Sequence, residues 1–257
     1  MTDIYNDDTY ISNNPNLHRE DSLFKFNQIS KLLENFPLKK EKIKILDVGG
    51  GAGELGAEVA KYFVDKGVAI EFVALDLSSE MLAEQVKYNS HIDHTLNCSI
   101  QDCPEQSFDI VMMIDVIEHV PEKEMVANRL NEICEYVIYN IPVEINAMDF
   151  LRNLILLGRH YAYQTRTIGH VHFFSMRSAK RFIYKHHYPS ALFFKPYFSL
   201  LLESDAEQYV ELRKSRIRLA ELKLSKWIAK CFSWISPYLI QGSMYALVAT
   251  KSGGNHR

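Results

Sequence analysis

Short apolar runs alternate with helical segments along this chain, and this alternation restricts the folds that the chain can adopt. Apolar runs lie at residues 43–48, 70–76, 108–115 and 136–142, with a weaker one near residues 95–100. Helical spacing predicts helices over about residues 54–66, 78–89 and 121–134 between them. Runs that are apolar at nearly every position are typical of strands covered on both faces. Crossovers between parallel strands need about a dozen residues, so the pattern predicts an α/β fold with a doubly wound parallel sheet.

The pattern divides the chain of 257 residues into four parts. Residues 1–40 combine a polar arm with a predicted lid helix over about residues 17–36, and residues 41–142 form the core. Residues 190–202 and 243–250 are expected to complete the core with further strands. Residues 143–240 hold a predicted apolar helix at 148–164 and a basic helical stretch at 204–238, and we expect them to form a substrate cap. Residues 251–257 are expected to be a flexible tail.

Composition excludes several classes of protein. No run of about 18 uncharged apolar residues occurs, so the sequence predicts no spanning helix. The N-terminus lacks the basic and apolar blocks of a secretory signal. The four cysteines form no CxxC pair, which disfavours structural zinc and a disulfide framework. We therefore expect a cytoplasmic protein, with peripheral contact at the inner membrane face as an open alternative.

Charge is divided unevenly along the chain. Residues 1–150 contain 12 Lys/Arg and 27 Asp/Glu, whereas residues 151–240 contain 15 Lys/Arg and 5 Asp/Glu. The two halves either pack together and neutralise each other, or the basic half meets an anionic partner such as a phosphorylated substrate or a membrane surface.

A glycine-rich turn after the first predicted strand indicates a nucleoside site. Asp47, Gly49, Gly51 and Gly53 form this turn, and Asp76 ends the next predicted strand. Glycine lets the backbone approach a ligand closely, and the following helix N-terminus offers free N–H groups. A carboxylate at Asp76 suits the two hydroxyl groups of a ribose.

Two kinds of cofactor fit this turn, a dinucleotide and a nucleoside. Residues 51–56 match GxGxxG, and Asp76 lies 20 residues beyond Gly56, as in NAD sites. Asp47 favours S-adenosylmethionine (SAM) instead, because a carboxylate at the end of the first strand would repel a pyrophosphate but attract an ammonium group. A purely structural role for the glycines is the third interpretation.

The motifs DVGGGAG, ALD and FDIVMMIDVIEHV, in this order, resemble class I SAM-dependent methyltransferases. The resemblance implies a Rossmann-like, doubly wound, seven-stranded and mostly parallel sheet with a helical cap. It places Asp47, Gly49, Gly51 and Gly53 at the methionine part and Asp76 at the ribose. It also places Leu77 and Met81 beside the adenine, Asp102 near the adenine amino group, and Ile114 and Asp115 near the sulfonium.

The segment Asp115-Val-Ile-Glu118-His119 and the later His170 resemble an acid–histidine set in ubiquinone-pathway O-methyltransferases and related bacterial enzymes. The resemblance implies that Asp115, Glu118, His119 and His170 bind a Mg²⁺-like ion at the acceptor. A metal-free alternative makes His119 or His170 the general base. A third interpretation gives Glu118 and His119 a structural or substrate-binding role.

The resemblance implies SAM-dependent O-methylation of a small-molecule, glycan or natural-product acceptor. The acceptors considered include anionic compounds. The candidate acceptor-binding residues are His18, Arg19, Arg152, Tyr163, Arg166 and His172. Peripheral membrane contact and a homodimer are open alternatives, and we do not expect a nucleic-acid partner. An NAD-dependent oxidoreductase and a non-catalytic SAM-binding module are the rival functions.

Overall fold

A computed structural model describes residues 19–104 and 107–251 of the chain. One seven-stranded sheet organises these residues, with the order β3-β2-β1-β4-β5-β7-β6. The strands are β1 (Lys42–Val48), β2 (Ala69–Asp76), β3 (Ile92–Asn97), β4 (Phe108–Ile114), β5 (Cys134–Val143), β6 (Tyr188–Pro196) and β7 (Gly242–Ala249). The predicted N-terminal arm and candidate His18 lie outside the described residues, as does all of the predicted tail except Lys251.

Every strand pair is parallel except those that involve β7, which runs antiparallel to both β5 and β6. The strand order reverses between β1 and β4, which lie side by side at the centre. The sheet confirms the predicted Rossmann-like, doubly wound and mostly parallel architecture. In such sheets ligands bind where the order reverses, at the carboxyl ends of the strands.

Helices cover both faces of the sheet. Helix α1 (Arg19–Leu33) precedes the sheet, and α2 (Glu54–Val64), α3 (Ser79–Tyr88) and α4 (Lys123–Ile133) connect the first strands. Ser78 caps α3 by accepting a hydrogen bond from the Met81 backbone N–H. Helix α7 (Met176–His186) packs on the sheet. The other helices of the predicted cap are α5 (Ala147–Ile155), α6 (Arg159–Thr167), α8 (Phe198–Glu203), α9 (Glu207–Lys214), α10 (Arg216–Cys231) and α11 (Ser236–Leu239).

Two apolar clusters hold these layers together, one on each face of the sheet. Val111 and Met113 on β4 face one cluster, which includes α4 and α7. Ile110 and Met112 on the same strand face the other, which includes α1 and α2. Because successive strand residues point to opposite faces and both faces of β4 are covered, residues 110–114 are all apolar. The buried sheet therefore fixes its carboxyl edge as a rigid platform.

The structure corrects three predicted elements. The weak third strand lies at Ile92–Asn97 instead of near residues 95–100, because Ser99 caps a short 3₁₀ turn at Ile100–Asp102. The predicted helix at 148–164 is two helices, because Leu157 and Gly158 adopt left-handed backbone angles. The basic stretch at 204–238 is three helices, and Trp234 therefore does not share a helix with Trp227.

None of the helices in the described ranges is long and apolar enough to cross a lipid bilayer.

Candidate functional site

The turn after β1 brings the backbone close to Asp47. A Cβ atom at Gly50 would lie 2.4 Å from Asp47 Oδ2. Gly53, with φ of +88°, begins α2, and a Cβ atom there would lie 2.7 Å from the Gln85 carbonyl oxygen. Only glycine fits these two positions without moving neighbouring atoms. The turn is therefore packed tightly against Asp47 and Gln85 at the carboxyl end of β1.

Asp47 and Asp76 end adjacent strands at this edge. Burial, together with the charge of Asp76, raises the pKa of Asp47 to about 7. Burial also raises the pKa of Asp76 to about 6, although hydrogen bonds from backbone N–H groups oppose that shift. Two poorly solvated carboxylates this close together favour a ligand that brings positive charge or hydroxyl donors.

The predicted adenine-side residues lie farther along the same edge. Leu77 follows β2 and is partly exposed, and Met81 is buried in α3. Asp102 lies in the 3₁₀ turn after β3, and its carboxylate accepts a hydrogen bond from Ser99 Oγ at 2.6 Å. These three residues do not line the cavity described below, and neither do Gly53 and Asp76, whereas Ile114, at the end of β4, does.

Asp115 follows β4 in a strained backbone conformation, with φ of +54°. Its carboxylate accepts a hydrogen bond from Asn140 Nδ2 at 2.8 Å. The other carboxylate oxygen lies 2.8 Å from Lys25 Nζ on α1. The predicted lid helix is therefore connected to the strand edge by an ion pair at the centre of the site.

Four acid and histidine side chains gather beyond Asp115. His170 Nδ1 lies 2.9 and 3.0 Å from the two carboxylate oxygens of Glu144. The rings of His119 and His170 meet edge to face with centroids 4.7 Å apart. One candidate ligand atom each from Glu118, His119 and His170 lies within 4.8 Å of the others. The structure thus brings together three residues that the sequence places up to 52 positions apart.

Glu118 is completely buried in this group. Neither of its carboxylate oxygens has a hydrogen-bond partner among the described residues. Burial, and the nearby charge of Asp115, raise the pKa of Glu118 well above its usual range. A buried polar group without a partner is costly, so this side chain is suited to a bound donor or cation.

A cavity of about 330 Å³ joins these groups. Five carboxylates line it, whereas Lys25 is its single lysine or arginine among the described residues. The carboxylates belong to Asp21, Asp47, Asp115, Glu118 and Glu144. Gln164, Ile168, Tyr197 and Tyr209, from the predicted cap, also line the cavity. The cavity is therefore acidic and continuous from the glycine turn to the histidines.

The described candidates for acceptor binding do not line this cavity. Arg19 pairs with Glu54 at 2.6 Å, and Arg152 pairs with Asp149 at 2.5 Å. His172 lies 3.1 Å from the Pro121 carbonyl oxygen. Tyr163 and Arg166 are exposed on α6.

Sequence reasoning missed Glu144, Lys25 and Gly50. Glu144 directly follows β5, so it reaches the same carboxyl edge as Asp47 and Asp115. This position after a predicted strand was a signal that could have identified it. Lys25 gave no such signal, because its role depends on where α1 packs.

A family model described as "Methyltransferase domain" matches residues 19–184 of the chain. No curated protein matches the sequence.

Solved structures with a similar fold include phosphoethanolamine N-methyltransferase 2 of Haemonchus contortus with SAM. It is 16% identical, with a TM-score of 0.56, over 87% of this chain and 52% of that chain. The chain thus spans about half the length of that enzyme. The cyclopropane synthase MmaA2 of Mycobacterium tuberculosis is 13% identical (TM-score 0.57), over 88% of this chain and 84% of that chain. The N-methyltransferase NodS of Bradyrhizobium japonicum, in complex with S-adenosylhomocysteine (SAH), is 10% identical (TM-score 0.53), over 95% of this chain and 100% of that chain.

Proposed function

The chain belongs to the methyltransferase-domain family, and from this premise we propose that it transfers the methyl group of SAM to a hydroxyl oxygen. The acceptor would be a small molecule or a glycan unit. The observation that supports this proposal most directly is the cavity that connects the glycine turn at Asp47 with the His170–Glu144 pair. Cofactor and acceptor would thus meet in one cavity.

The cofactor proposal rests on charge at the carboxyl edge. Asp47 is buried beside the turn and would pair with the cofactor's ammonium group, and Asp76 would accept hydrogen bonds from its ribose. A pyrophosphate in the same place would meet two carboxylates, which disfavours NAD. SAM supplies the electrophilic methyl group when bound. The chain's own residues would hold the acceptor in line with that group, which is the main source of catalysis.

Proton removal is assigned to His170. Its Nδ1 faces the carboxylate of Glu144, so the Nδ1–H tautomer leaves Nε2 free to accept a proton. The acceptor hydroxyl would lose its proton to Nε2 as its oxygen bonds to the methyl carbon and the carbon–sulfur bond breaks. Glu144 would stabilise the resulting imidazolium, as a positioning residue that acts through His170. A general base of this kind contributes about 10²–10⁴-fold.

A divalent cation is an alternative means of activation. Glu118, His119 and His170 fit such an ion, because Glu118 has two buried oxygens without described partners. A bound ion would lower the pKa of the acceptor hydroxyl. If EDTA and added Mg²⁺ or Mn²⁺ leave activity unchanged, this alternative is excluded.

An amine acceptor is a second candidate, favoured by the five carboxylates of the cavity. An ammonium group would be attracted to this lining and would also need to lose a proton before transfer.

The test is an SAH-release assay with hydroxylated and amine compounds, with SAM as donor. We expect a hydroxylated acceptor to be turned over, and expect His170→Ala to lower kcat at least about 100-fold. Glu144→Gln should lower kcat with little change in KM for SAM. His172→Ala is the matched control, since His172 lies outside the cavity.

Two outcomes would contradict the proposal. Turnover of amines alone would exclude oxygen as the acceptor atom. Binding of NADH without binding of SAH would exclude the methyl donor itself.

A further inference from the structure

Helix α5 has its polar and apolar faces reversed relative to an ordinary surface helix. Its one buried residue is Asp149, which is 0% exposed. Phe150, Leu151, Leu154 and Ile155 on the same helix are each more than half exposed. A surface helix of a soluble domain normally turns its apolar stripe toward the core. Here that stripe faces outward.

Polar contacts attach α5 to the rest of the molecule and explain this orientation. Asp149 accepts hydrogen bonds from Asn146 Nδ2 at 2.6 Å and Gln241 Nε2 at 2.7 Å. Arg152 pairs with Glu221 on α10. Since Asp149 and Arg152 occupy the inner face, the apolar side chains have no place in the core.

Helix α10, which contacts α5 through Arg152 and Glu221, also carries exposed apolar side chains. Ser225 donates a hydrogen bond to Met148 Sδ at 3.5 Å, so α5 and α10 lie side by side. Leu224 and Trp227 on α10 are exposed. We name Phe150, Leu151, Leu154, Ile155, Leu224 and Trp227 the apolar cap face. Leu157, at the end of the loop after α5, is 86% exposed and extends it.

A row of lysines runs beside this face. Lys223, Lys226 and Lys230 are exposed at spacings of three and four residues on α10, so they share one side of that helix. α10 contains five Lys/Arg and one Glu. Apolar and aromatic side chains beside a row of cations are typical of helices that lie in a membrane interface.

We propose that the apolar cap face binds the surface of an anionic lipid bilayer. The apolar side chains would enter the headgroup and acyl boundary, and the lysines would contact anionic headgroups. This proposal does not depend on the proposed methyl transfer. Charge selects the occupant, because anionic headgroups are complementary to the exposed Lys223, Lys226 and Lys230.

The tryptophans allow a direct test without a label. Trp227 and Trp234 are the two tryptophans of the whole chain, and both are exposed in the cap. We expect their fluorescence to shift to shorter wavelength with vesicles of phosphatidylcholine mixed with phosphatidylglycerol, and brominated lipid to quench it. Vesicles of phosphatidylcholine alone should bind at least about tenfold more weakly, and added salt should weaken binding to the anionic vesicles.

Variants locate the contact. Leu154→Ser with Ile155→Ser, and separately Lys223, Lys226 and Lys230 all replaced by Gln, should each weaken co-sedimentation with anionic vesicles at least about tenfold. Met125→Ser with Val86→Ser is the matched control, since both residues are exposed apolar side chains on other helices. Cooperative unfolding followed by circular dichroism shows that each variant is folded.

The proposal is overturned if anionic vesicles leave the fluorescence unchanged, or if the control variant loses binding as much as the cap variants. It is equally overturned if sedimentation velocity shows a dimer that Leu154→Ser with Ile155→Ser disrupts, because a second copy then covers the face.

Discussion

Asp47 shows what a buried carboxyl group at the proposed cofactor site costs in stability. Its carboxyl group is buried, and its pKa is raised to about 7. In the unfolded chain the same group would titrate near 3.8. The stability that its proton contributes is therefore lost as the pH rises from about 4 to about 7. Above that range the ligand-free protein holds an ionised carboxylate with little solvent around it.

Asp47→Asn should raise the melting temperature of the ligand-free protein at about pH 8, and the difference from wild type should shrink toward about pH 5. The same substitution should weaken SAH binding at least about tenfold, because the partner of the ammonium group is lost. Differential scanning calorimetry and isothermal titration check the two effects.

The wild-type protein should bind SAH more tightly as the pH rises through about 7, because the ammonium group pairs with the ionised form of Asp47. Titration calorimetry at several pH values measures this dependence. Asp65→Asn, at an exposed carboxylate after α2, is the control and should keep the wild-type dependence. Affinity that does not change with pH would show that Asp47 does not pair with the ligand.

At the level of elements, the sequence predicts strands better than the cap. Residues 43–48 and 108–114 are recognisable because a strand buried on both faces is apolar at most positions. The break between α5 and α6 was missed because helical periodicity continues across Leu157 and Gly158, where the backbone turns left-handed. The reversed face of α5 was also missed, since periodicity reports an apolar stripe but not the direction it faces.

The candidate site residues differ in the same way, since some follow from strand positions and others from helix packing. The positions of Asp47, Asp115 and Glu118 at the carboxyl edge could be predicted, because each lies near the end of a strand or within four residues after it. Lys25 and the exclusion of Arg152 from the cavity depend on how helices pack, which spacing along the chain does not encode.

The close packing of β7 against β6 can be tested at Gly242. Gly242 begins β7 between β5 and β6, and a Cβ atom there would lie 2.4 Å from the Lys195 carbonyl oxygen. Gly242→Ala should therefore lower the melting temperature by several degrees, since the β6 backbone must move.

Gly67→Ala is the matched comparison for Gly242→Ala. Gly67 has φ of +77° and no atom within 4 Å of its Cβ position, so only backbone strain changes. It should cost about 1 kcal/mol. Thermal unfolding measures both variants, and equal losses would contradict a packing conflict at Gly242.

At the scale of the whole molecule, ligand binding should stabilise the fold. A site that exists only in the folded chain adds about 2.7 kcal/mol at a ligand concentration of about 100 Kd. SAH should therefore raise the melting temperature by roughly 5–10 °C. Thermal unfolding with SAH and with NADH measures the difference between the two cofactors.

We expect no shift with NADH and no SAH shift in the Asp76→Ala variant. A shift with NADH comparable to that with SAH would favour the oxidoreductase function instead.

The uneven distribution of charge along the chain affects how the molecule orients near a charged surface. Residues 1–150 are strongly acidic, whereas residues 151–240, which contain most of the cap, are basic. A body with separated charge has an electric dipole moment, and a negatively charged surface exerts a torque on it. That torque acts only within about one Debye length, about 8 Å at physiological ionic strength. We therefore expect a tumbling molecule that comes this close to turn so that the basic side of α10, with Lys223, Lys226 and Lys230, leads.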